Sequence, residues 1–346
     1  MRIVIAGSLL LCSCAPSAEE PSGPCDPVSE ACTLTHDFGA YTIAPGEERD
    51  GICMSWTLAN EAELWLNGIA SDNDGMVHHA NWFFVPEDSY DVPDGHWDCW
   101  ANGFTEQDAA LIGGVIHAQS TQAATEEQRF VPGAAVRVPP RSRIIAYTHV
   151  INTGGAPYAT AIRARLETIP RAAVTAPLTG FRFNYVDLRI PPQSRASFAG
   201  SCDIRSMYEP IMNRAWSFRL HWVLPHFHKL GDEFRLDLVG GERDGENIFA
   251  LDGAYGEPLG RGFDPPVDLA ASGADGLRFS CGYDNPGDAT VRFGNGDQEM
   301  CVMLGFAESG FLFDGTVEQT SDIAPDADGV TRGTGPCRVI GVPDPG

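Results

Sequence analysis

The stretch Glu-Phe-Arg-Leu-Asp-Leu-Val at residues 233–239 alternates between polar and apolar side chains. Such alternation is typical of a half-buried β-strand, because successive side chains point to opposite faces of a sheet. Four further segments combine branched or aromatic residues with turn-forming neighbours, namely residues 80–85, 142–150, 215–224 and 300–306. Glycine (38) and proline (25) are scattered along the 346 residues, so we expect many short strands separated by turns.

These patterns predict an all-β protein made of two tandem antiparallel β-sandwich (jelly-roll-like) domains. Residues 170–177 follow a predicted strand and offer little to pack, so we expect the domain boundary there. The N-terminal domain would span residues 33–170 and the C-terminal domain residues 171–346. One short helix is predicted at residues 105–112, and the Gly-, Asp- and Pro-rich residues 321–336 are predicted to form a loop.

The first residues read as an export signal. Residues 1–13 combine Arg2 with an apolar stretch too short to span a bilayer. The stretch ends in Leu-Cys-Ser-Cys at residues 11–14, which resembles a bacterial lipoprotein signal with Cys14 as the acylated residue; a plain cleaved signal is the alternative. Residues 14–32 would then be a lipidated tether. We therefore expect an exported protein, lipid-anchored to a bacterial membrane and facing the periplasm or the cell surface.

Charge and cysteine content narrow the class of protein. The net charge of −24 argues against nucleic acid and against an anionic membrane surface as partners, so membrane contact would come only through the lipid. The sequence does not indicate an oligomeric state. Without Cys12 and Cys14, eight cysteines remain, and an even number in an exported chain predicts four disulfides of open connectivity. These eight lack the close spacing of a structural zinc site; they are Cys25, Cys32, Cys53, Cys99, Cys202, Cys281, Cys301 and Cys337.

Four of the nine histidines occur in two tight pairs. His226 and His228 would point to the same face of a strand and could hold one ion, and imidazole suits copper, zinc, iron or nickel. His78 and His79 are adjacent, so they need a bulge or a strand end to serve one ion. Met300 follows a glycine-rich turn; its thioether favours Cu(I), although a methionine in that position usually fills a core.

Four stretches together resemble a known family. They are G-M-V-H-H-A at 75–80, R-I-I-A-Y-T-H-V-I-N at 143–152, H-F-H-K-L-G at 226–231, and C-G-Y-D-N at 281–285 followed by E-M-C at 299–301. In this order they are similar to the type II copper monooxygenases, the family of peptidylglycine alpha-hydroxylating monooxygenase and dopamine beta-monooxygenase. The resemblance covers roughly residues 38–306 of both predicted domains.

The resemblance implies two copper ions, one in each domain. His78, His79 and His149 would form the electron-transfer site, with His117 as the competitor of His149. The second site, where oxygen binds and the substrate is attacked, would consist of His226, His228 and Met300. The co-substrate would be ascorbate or another one-electron reductant. The resemblance also implies the disulfides Cys53–Cys99, Cys281–Cys301 and Cys202–Cys337, which leaves Cys25 to pair with Cys32.

Three positions depart from the peptide-amidating members. Those enzymes carry an arginine, a tyrosine and a glutamine where this chain has Leu224, Leu304 and Tyr147. A peptide carboxylate would then meet apolar side chains without a partner, so we predict that the chain does not amidate peptides. An apolar or phenolic substrate would suit a pocket lined by tryptophans, with Trp82, Trp97, Trp100, Trp216 and Trp222 as candidates. His221 is a candidate for hydrogen bonding to a ligand histidine.

Three functional hypotheses follow. The first is a copper-dependent monooxygenase that hydroxylates a small organic substrate with O₂ and an external reductant. The second is a non-catalytic extracytoplasmic copper-binding protein for storage, delivery or sensing, distinguished by whether the reduced protein reacts productively with O₂. The third is an adhesion or scaffolding lipoprotein with incidental histidines, which predicts no stoichiometric copper.

Overall fold

A computed structural model describes residues 25–73, 75, 77–119, 123–253, 260–294 and 296–344. More than half of these residues form strands, and there are only two short helices in this part of the chain, so the all-β prediction is confirmed. The predicted signal, Cys14 and the tether up to residue 24 lie outside the described residues. In the part that is described, none of the helices is both long and apolar enough to cross a membrane.

The first half of the chain contributes ten strands and helix α1. The strands are β1 (Cys32–Ile43), β2 (Glu48–Thr57), β3 (Leu64–Asp72), β4 (Val77–Val85), β5 (Gly95–Asp98), β6 (Gly114–Gln119), β7 (Thr125–Arg129), β8 (Ala134–Val138), β9 (Arg143–Ile151) and β10 (Tyr158–Thr168). Helix α1 spans Glu106–Ile112, and the Thr105 side chain accepts a hydrogen bond from the Asp108 amide as its N-cap. The helix predicted at residues 105–112 is therefore confirmed.

The second half follows a 3₁₀ turn at Arg171–Ala173. Its strands are β11 (Ala176–Tyr185), β12 (Arg189–Ile190), β13 (Ser194–Asp203), β14 (Arg219–His226), β15 (Gly231–Val239), β16 (Asn247–Asp252), β17 (Arg261–Asp268), β18 (Gly276–Asn285), β19 (Val291–Arg292), β20 (Val302–Glu308), β21 (Phe311–Val317), β22 (Asp322–Pro325), β23 (Thr331–Pro336) and β24 (Arg338–Pro343). Helix α2 spans Arg205–Met212 and was not predicted; it contains Pro210 and buries only Tyr208, so its helical signal is weak.

The strands form three large sheets and one two-stranded sheet. One large sheet runs β5-β2-β9-β4-β6 and another runs β16-β15-β18-β13-β23-β22. The third follows β1-β10-β3-β8-β11-β20-β14-β17, with β7, β21 and β24 attached. The β8–β11 pair joins strands from both halves, so this sheet continues across the predicted boundary near residue 170. The division into two domains stays a prediction.

Most strand pairs are antiparallel, as predicted, but three are parallel: β8–β11, β11–β21 and β13–β23. Alternation of side chains does not encode strand direction, and parallel neighbours need long crossovers that local pattern cannot reveal. The purely antiparallel prediction was therefore wrong at these pairs.

Strand β15 shows the predicted alternation. Phe234, Leu236 and Leu238 are fully buried. Arg235 and Asp237 between them are partly exposed, so one face of the strand packs against the core while the other meets water.

Residues 321–336 do not form the predicted loop, because they contain β22 and β23. Strand β23 pairs with the buried strand β13. A Cβ atom at Gly333 would lie 2.5 Å from Phe198, and one at Gly335 would lie 2.5 Å from Val317. The glycines here permit close packing of side chains, whereas the sequence suggested turns.

Four disulfides are present, and each has the predicted partner: Cys25–Cys32, Cys53–Cys99, Cys202–Cys337 and Cys281–Cys301. Cys53–Cys99 joins β2 to the segment after β5, and Cys281–Cys301 joins β18 to the segment before β20. Disulfides of this number are typical of a chain that folds in an oxidising, extracellular environment.

Candidate metal centre

A β-bulge brings the first three histidines together. Strand β4 carries His78 and His79, and His79 is paired with His149 on β9. The register shifts between Val77 and His79, which is the irregularity that two adjacent ligands require. The ring centroids lie 5.4 Å apart for His78–His79, 5.1 Å for His78–His149 and 4.8 Å for His79–His149.

The second histidine pair lies at the end of β14. Strand β14 ends at His226, so His228 lies in the turn that follows. The sequence had predicted both histidines on the strand. The two rings still approach, with centroids 5.2 Å apart. Phe227 between them is buried, and a Cβ at Gly231 would lie 2.2 Å from its ring. Gly231 therefore leaves room for the buried Phe227 ring between the two ligand residues.

The two histidine sets meet in one cluster. The His79 ring lies 5.1 Å from His226, and the His78 ring lies 5.5 Å from His228. Among the described residues, two groups hold ligand nitrogens within 4.8 Å of one another: His78, His79 and His149, and His79, His226 and His228. The sequence predicted one centre in each half; here the imidazoles of both halves surround a shared space, and His79 belongs to both groups.

Neighbouring oxygens orient two of the rings. The Glu48 carboxylate lies 2.8 Å from His149 Nε2, and the Gln298 carbonyl lies 2.8 Å from His228 Nδ1. The other nitrogens, His149 Nδ1 and His228 Nε2, are buried and have no hydrogen-bond partner in the described part of the chain, and the same holds for Nδ1 of His78 and His79. Buried unpaired nitrogens are costly, and a metal ion would satisfy them. The residues present therefore fit a metal centre.

Burial also keeps the imidazoles of His78, His79 and His228 neutral. It lowers the pKa of His78 to about 4, with the neighbouring His149 and His228 rings adding to the effect. The pKa of His79 falls well below its usual value, again through burial first and the adjacent histidines second. Burial lowers the pKa of His228 as well. Neutral imidazole is the form that binds metal, so these three rings are ready for a cation at neutral pH.

Met300 lies next to this cluster. Its side chain lines a cavity of about 340 Å³ together with His79 and His226. The Tyr283 hydroxyl donates to the Met300 carbonyl at 2.7 Å, and the Cys281–Cys301 disulfide holds the adjacent residue. The backbone around the thioether is thus fixed from two sides.

Glu299 was part of a quoted motif, but its role was not predicted. Its fully buried carboxylate accepts hydrogen bonds from the amides of His228 at 2.8 Å, Leu230 at 2.7 Å and Met300 at 3.3 Å. Burial raises its pKa to about 7, although the three amides act in the opposite direction. One side chain therefore ties the His228 turn to the Met300 segment.

The three positions that differ from the amidating enzymes all line the cavity: Leu224, Leu304 and Tyr147. The wall is more polar than the sequence suggested, because Asn81, Glu106, Arg182 and Asn184 line it too. These four residues lie far apart in sequence and carry no shared motif. Arg182 is held by Asp314, with Nε 2.8 Å from the carboxylate.

The predicted tryptophan lining is wrong, since none of the described residues lining this cavity is a tryptophan. Trp82 and Trp222 are buried in the core, and Trp100 is 60% exposed. Trp97 donates to Ser55 and Trp216 to the Ala274 carbonyl.

The other histidines lie apart from the cluster. His117, the competitor of His149, is fully buried with its ring 6.4 Å from Trp82. His221 faces Glu308 at 3.8 Å rather than a ligand histidine, because β14 has a register shift between Leu220 and Trp222.

No protein-family model matches the chain, and no curated protein matches it. Solved structures with some likeness include the major capsid protein P2 from bacteriophage PM2, at 10% identity and a TM-score of 0.33 over 78% of this chain and 97% of that chain. Naturally occurring empty particles of cowpea mosaic virus give 8% identity and a TM-score of 0.35 over 81% of this chain and 89% of that chain. The structure of PNGF-II gives 8% identity and a TM-score of 0.28 over 80% of this chain and 65% of that chain. At these TM-scores the likenesses carry no argument about fold or function.

Proposed function

We propose that this chain is a copper-dependent monooxygenase that hydroxylates a small organic substrate with O₂ and a one-electron reductant such as ascorbate. The observation that carries the proposal is the convergence of five imidazoles in one cluster, two of which, those of His79 and His226, line a cavity together with Met300. Imidazole with thioether is a donor set suited to copper that cycles between Cu(II) and Cu(I). The motifs that resemble the type II copper monooxygenases support the same choice of metal.

The ligand assignment follows the donor types and the resemblance, and His79 also lies close to His226 and His228 of the second group. His78, His79 and His149 would hold one copper, and His226, His228 and Met300 the other. Two coppers would supply two electrons, one at a time, to R–H + O₂ + 2 e⁻ + 2 H⁺ → R–OH + H₂O. The chain's own contribution is to keep the imidazoles of His78, His79 and His228 neutral, to orient His149 and His228 through Glu48 and the Gln298 carbonyl, and to offer the cavity to a substrate.

The proposal also includes a location. The apolar stretch at residues 3–11 and the Leu-Cys-Ser-Cys sequence would export the chain and attach a lipid at Cys14. Such an enzyme would act on small molecules outside the cytoplasm, where its disulfides are stable.

The test combines copper content, electron paramagnetic resonance and O₂ uptake with ascorbate. We expect two coppers per wild-type chain, and one altered copper environment in Met300→Ala with the other unchanged. Met207→Ala, which changes an exposed side chain of helix α2, is the control and should match wild type. Two bound coppers without O₂ uptake across varied substrates would favour a storage or delivery protein, and the absence of stoichiometric copper would reject both.

A further inference from the structure

The cavity beside the metal centre has one wall made by three neighbouring strands. Strand β20 pairs with β11 on one side and with β14 on the other, which aligns the cavity-lining side chains in two rows. The first row consists of Asn184, Val302 and His226, and the second of Arg182, Leu304 and Leu224. The rows are two residues apart, or about 7 Å, and Asn184 and His226 are two strands apart, or about 10 Å.

The opposite wall repeats this layering. On β4, His79 pairs with His149, and two residues further Asn81 pairs with Tyr147 on β9. Glu106, at the start of α1, hydrogen-bonds Asn81 at 2.5 Å. The cavity therefore has a metal-ligand layer, which also contains Asn184, and, adjacent to it, a polar layer that contains Asn81, Glu106 and Arg182.

The two layers together offer two acceptor groups to a ligand. Arg182 is engaged by Asp314, and the Tyr147 hydroxyl donates to Asp50 at 2.7 Å. Glu106 presents a carboxyl group, and Asn184 Oδ1 is buried without a hydrogen-bond donor in the described part of the chain. A ligand in this cavity must bring N–H or O–H donors, because an unmet buried acceptor is costly.

A second, apolar pocket adjoins the polar layer. It has a volume of about 60 Å³ and shares Asn81, Glu106, Arg182 and Leu304 with the larger cavity. Beyond them it is lined chiefly by apolar side chains, among them Phe83, Val115, Leu312 and Ile340. The polar layer thus lies between the metal ligands and an apolar recess.

We infer that the site binds an elongated, uncharged, amphiphilic molecule. Its N–H or O–H donors hydrogen-bond Asn184 in the metal-ligand layer and Glu106 in the polar layer, and its apolar part enters the second pocket. Charged ligands are disfavoured. A ligand carboxylate would lie beside the Glu106 carboxyl group and give Asn184 no hydrogen-bond donor, and a ligand cation would lie beside the Arg182 guanidinium. This substrate class rests on the proposed function, and it assigns the anchoring role to residues outside the metal centre.

The test is calorimetric binding of octanamide to the full chain as purified. Octanamide has two N–H donors and an alkyl chain, octanoate has the same length without a donor, and acetamide lacks the chain. We expect octanamide to bind, and octanoate and acetamide to bind at least about 10-fold more weakly. Octanoate loses a buried hydrogen bond, and acetamide loses the burial of the methylene groups. Equal affinity for octanamide and octanoate overturns the inference.

Two variants locate the contacts. Glu106→Leu should weaken octanamide binding about 10-fold and leave octanoate no weaker, whereas Glu127→Leu, at an exposed edge, should match wild type. Ala110→Trp, which fills the apolar pocket, should remove the advantage of octanamide over acetamide. Wild-type affinity for octanamide in both variants contradicts the inference. Copper content and O₂ uptake are measured separately, so amide binding without copper would overturn the proposed function alone.

Discussion

His79 occupies the centre of the proposed chemistry. Its ring is 4.8 Å from His149 and 5.1 Å from His226, so it is the residue that the two ligand groups share. His78 belongs to the first group only. At the scale of single residues, the sequence predicted every histidine of the cluster, because ligand-type residues in family order are visible in the chain. It did not predict the sharing, which depends on three-dimensional proximity.

We expect His79→Ala to disturb both copper environments and His78→Ala only one. Removing the hydrogen-bonding partner of a metal ligand weakens metal binding by about 10-fold or more. Removing the ligand itself should therefore weaken copper binding by at least about 10-fold. His96→Ala, which lies near Tyr41, is the control. Copper titration followed by spin resonance measures this, and a His79→Ala protein with one wild-type copper signal would contradict the shared position.

At the scale of elements, bulges and turns position the ligands. The bulge in β4 was predictable, because adjacent ligands on a regular strand would point apart. The early end of β14 was not predictable, since alternation alone suggests a strand through His228. Glu299 compensates by joining the turn after β14 to the segment before β20. Its carboxylate is a positioning group that does not need to contact metal.

Glu299→Gln should destabilise the protein and disturb the Met300 copper environment. The new amide turns an N–H₂ group toward a backbone N–H, which leaves a buried donor unpaired at a cost of about 1–3 kcal/mol. Denaturant unfolding with and without copper measures the loss. Glu318→Gln, which removes an exposed pair with Arg338, should cost no more than about 1 kcal/mol. An equal loss of unfolding free energy in the two variants would contradict the positioning role of Glu299.

At the scale of the whole molecule, contacts between the two halves bring the histidines together. Phe130 in the first half packs against Phe306 at 5.2 Å and Trp222 at 6.3 Å in the second. The β8–β11 pair continues one sheet across them. Composition and alternation predicted the sheets, and the resemblance predicted the disulfides. Neither encodes which distant strands meet, so the single cluster and the polar layer around Glu106 were missed.

The stability of the whole molecule should fall with acid. His117 is fully buried, and burial lowers its pKa from 6.5 to about 4. The unfolded chain therefore takes up a proton before the folded one, so stability declines as pH falls from about 6.5 to about 4, by about 3 kcal/mol. Unfolding free energies of copper-free wild type and His117→Asn across this range provide the check. The variant should show a shallower pH slope, and an unchanged slope would count against a buried neutral His117.

The most direct measurement is anomalous diffraction at the copper edge from crystals of the copper-loaded protein. The account predicts two copper peaks per chain, one within ligand distance of His78, His79 and His149, and one within ligand distance of His226, His228 and the Met300 sulfur. Copper found only elsewhere, or a Met300 sulfur beyond bonding distance of any copper, would contradict it.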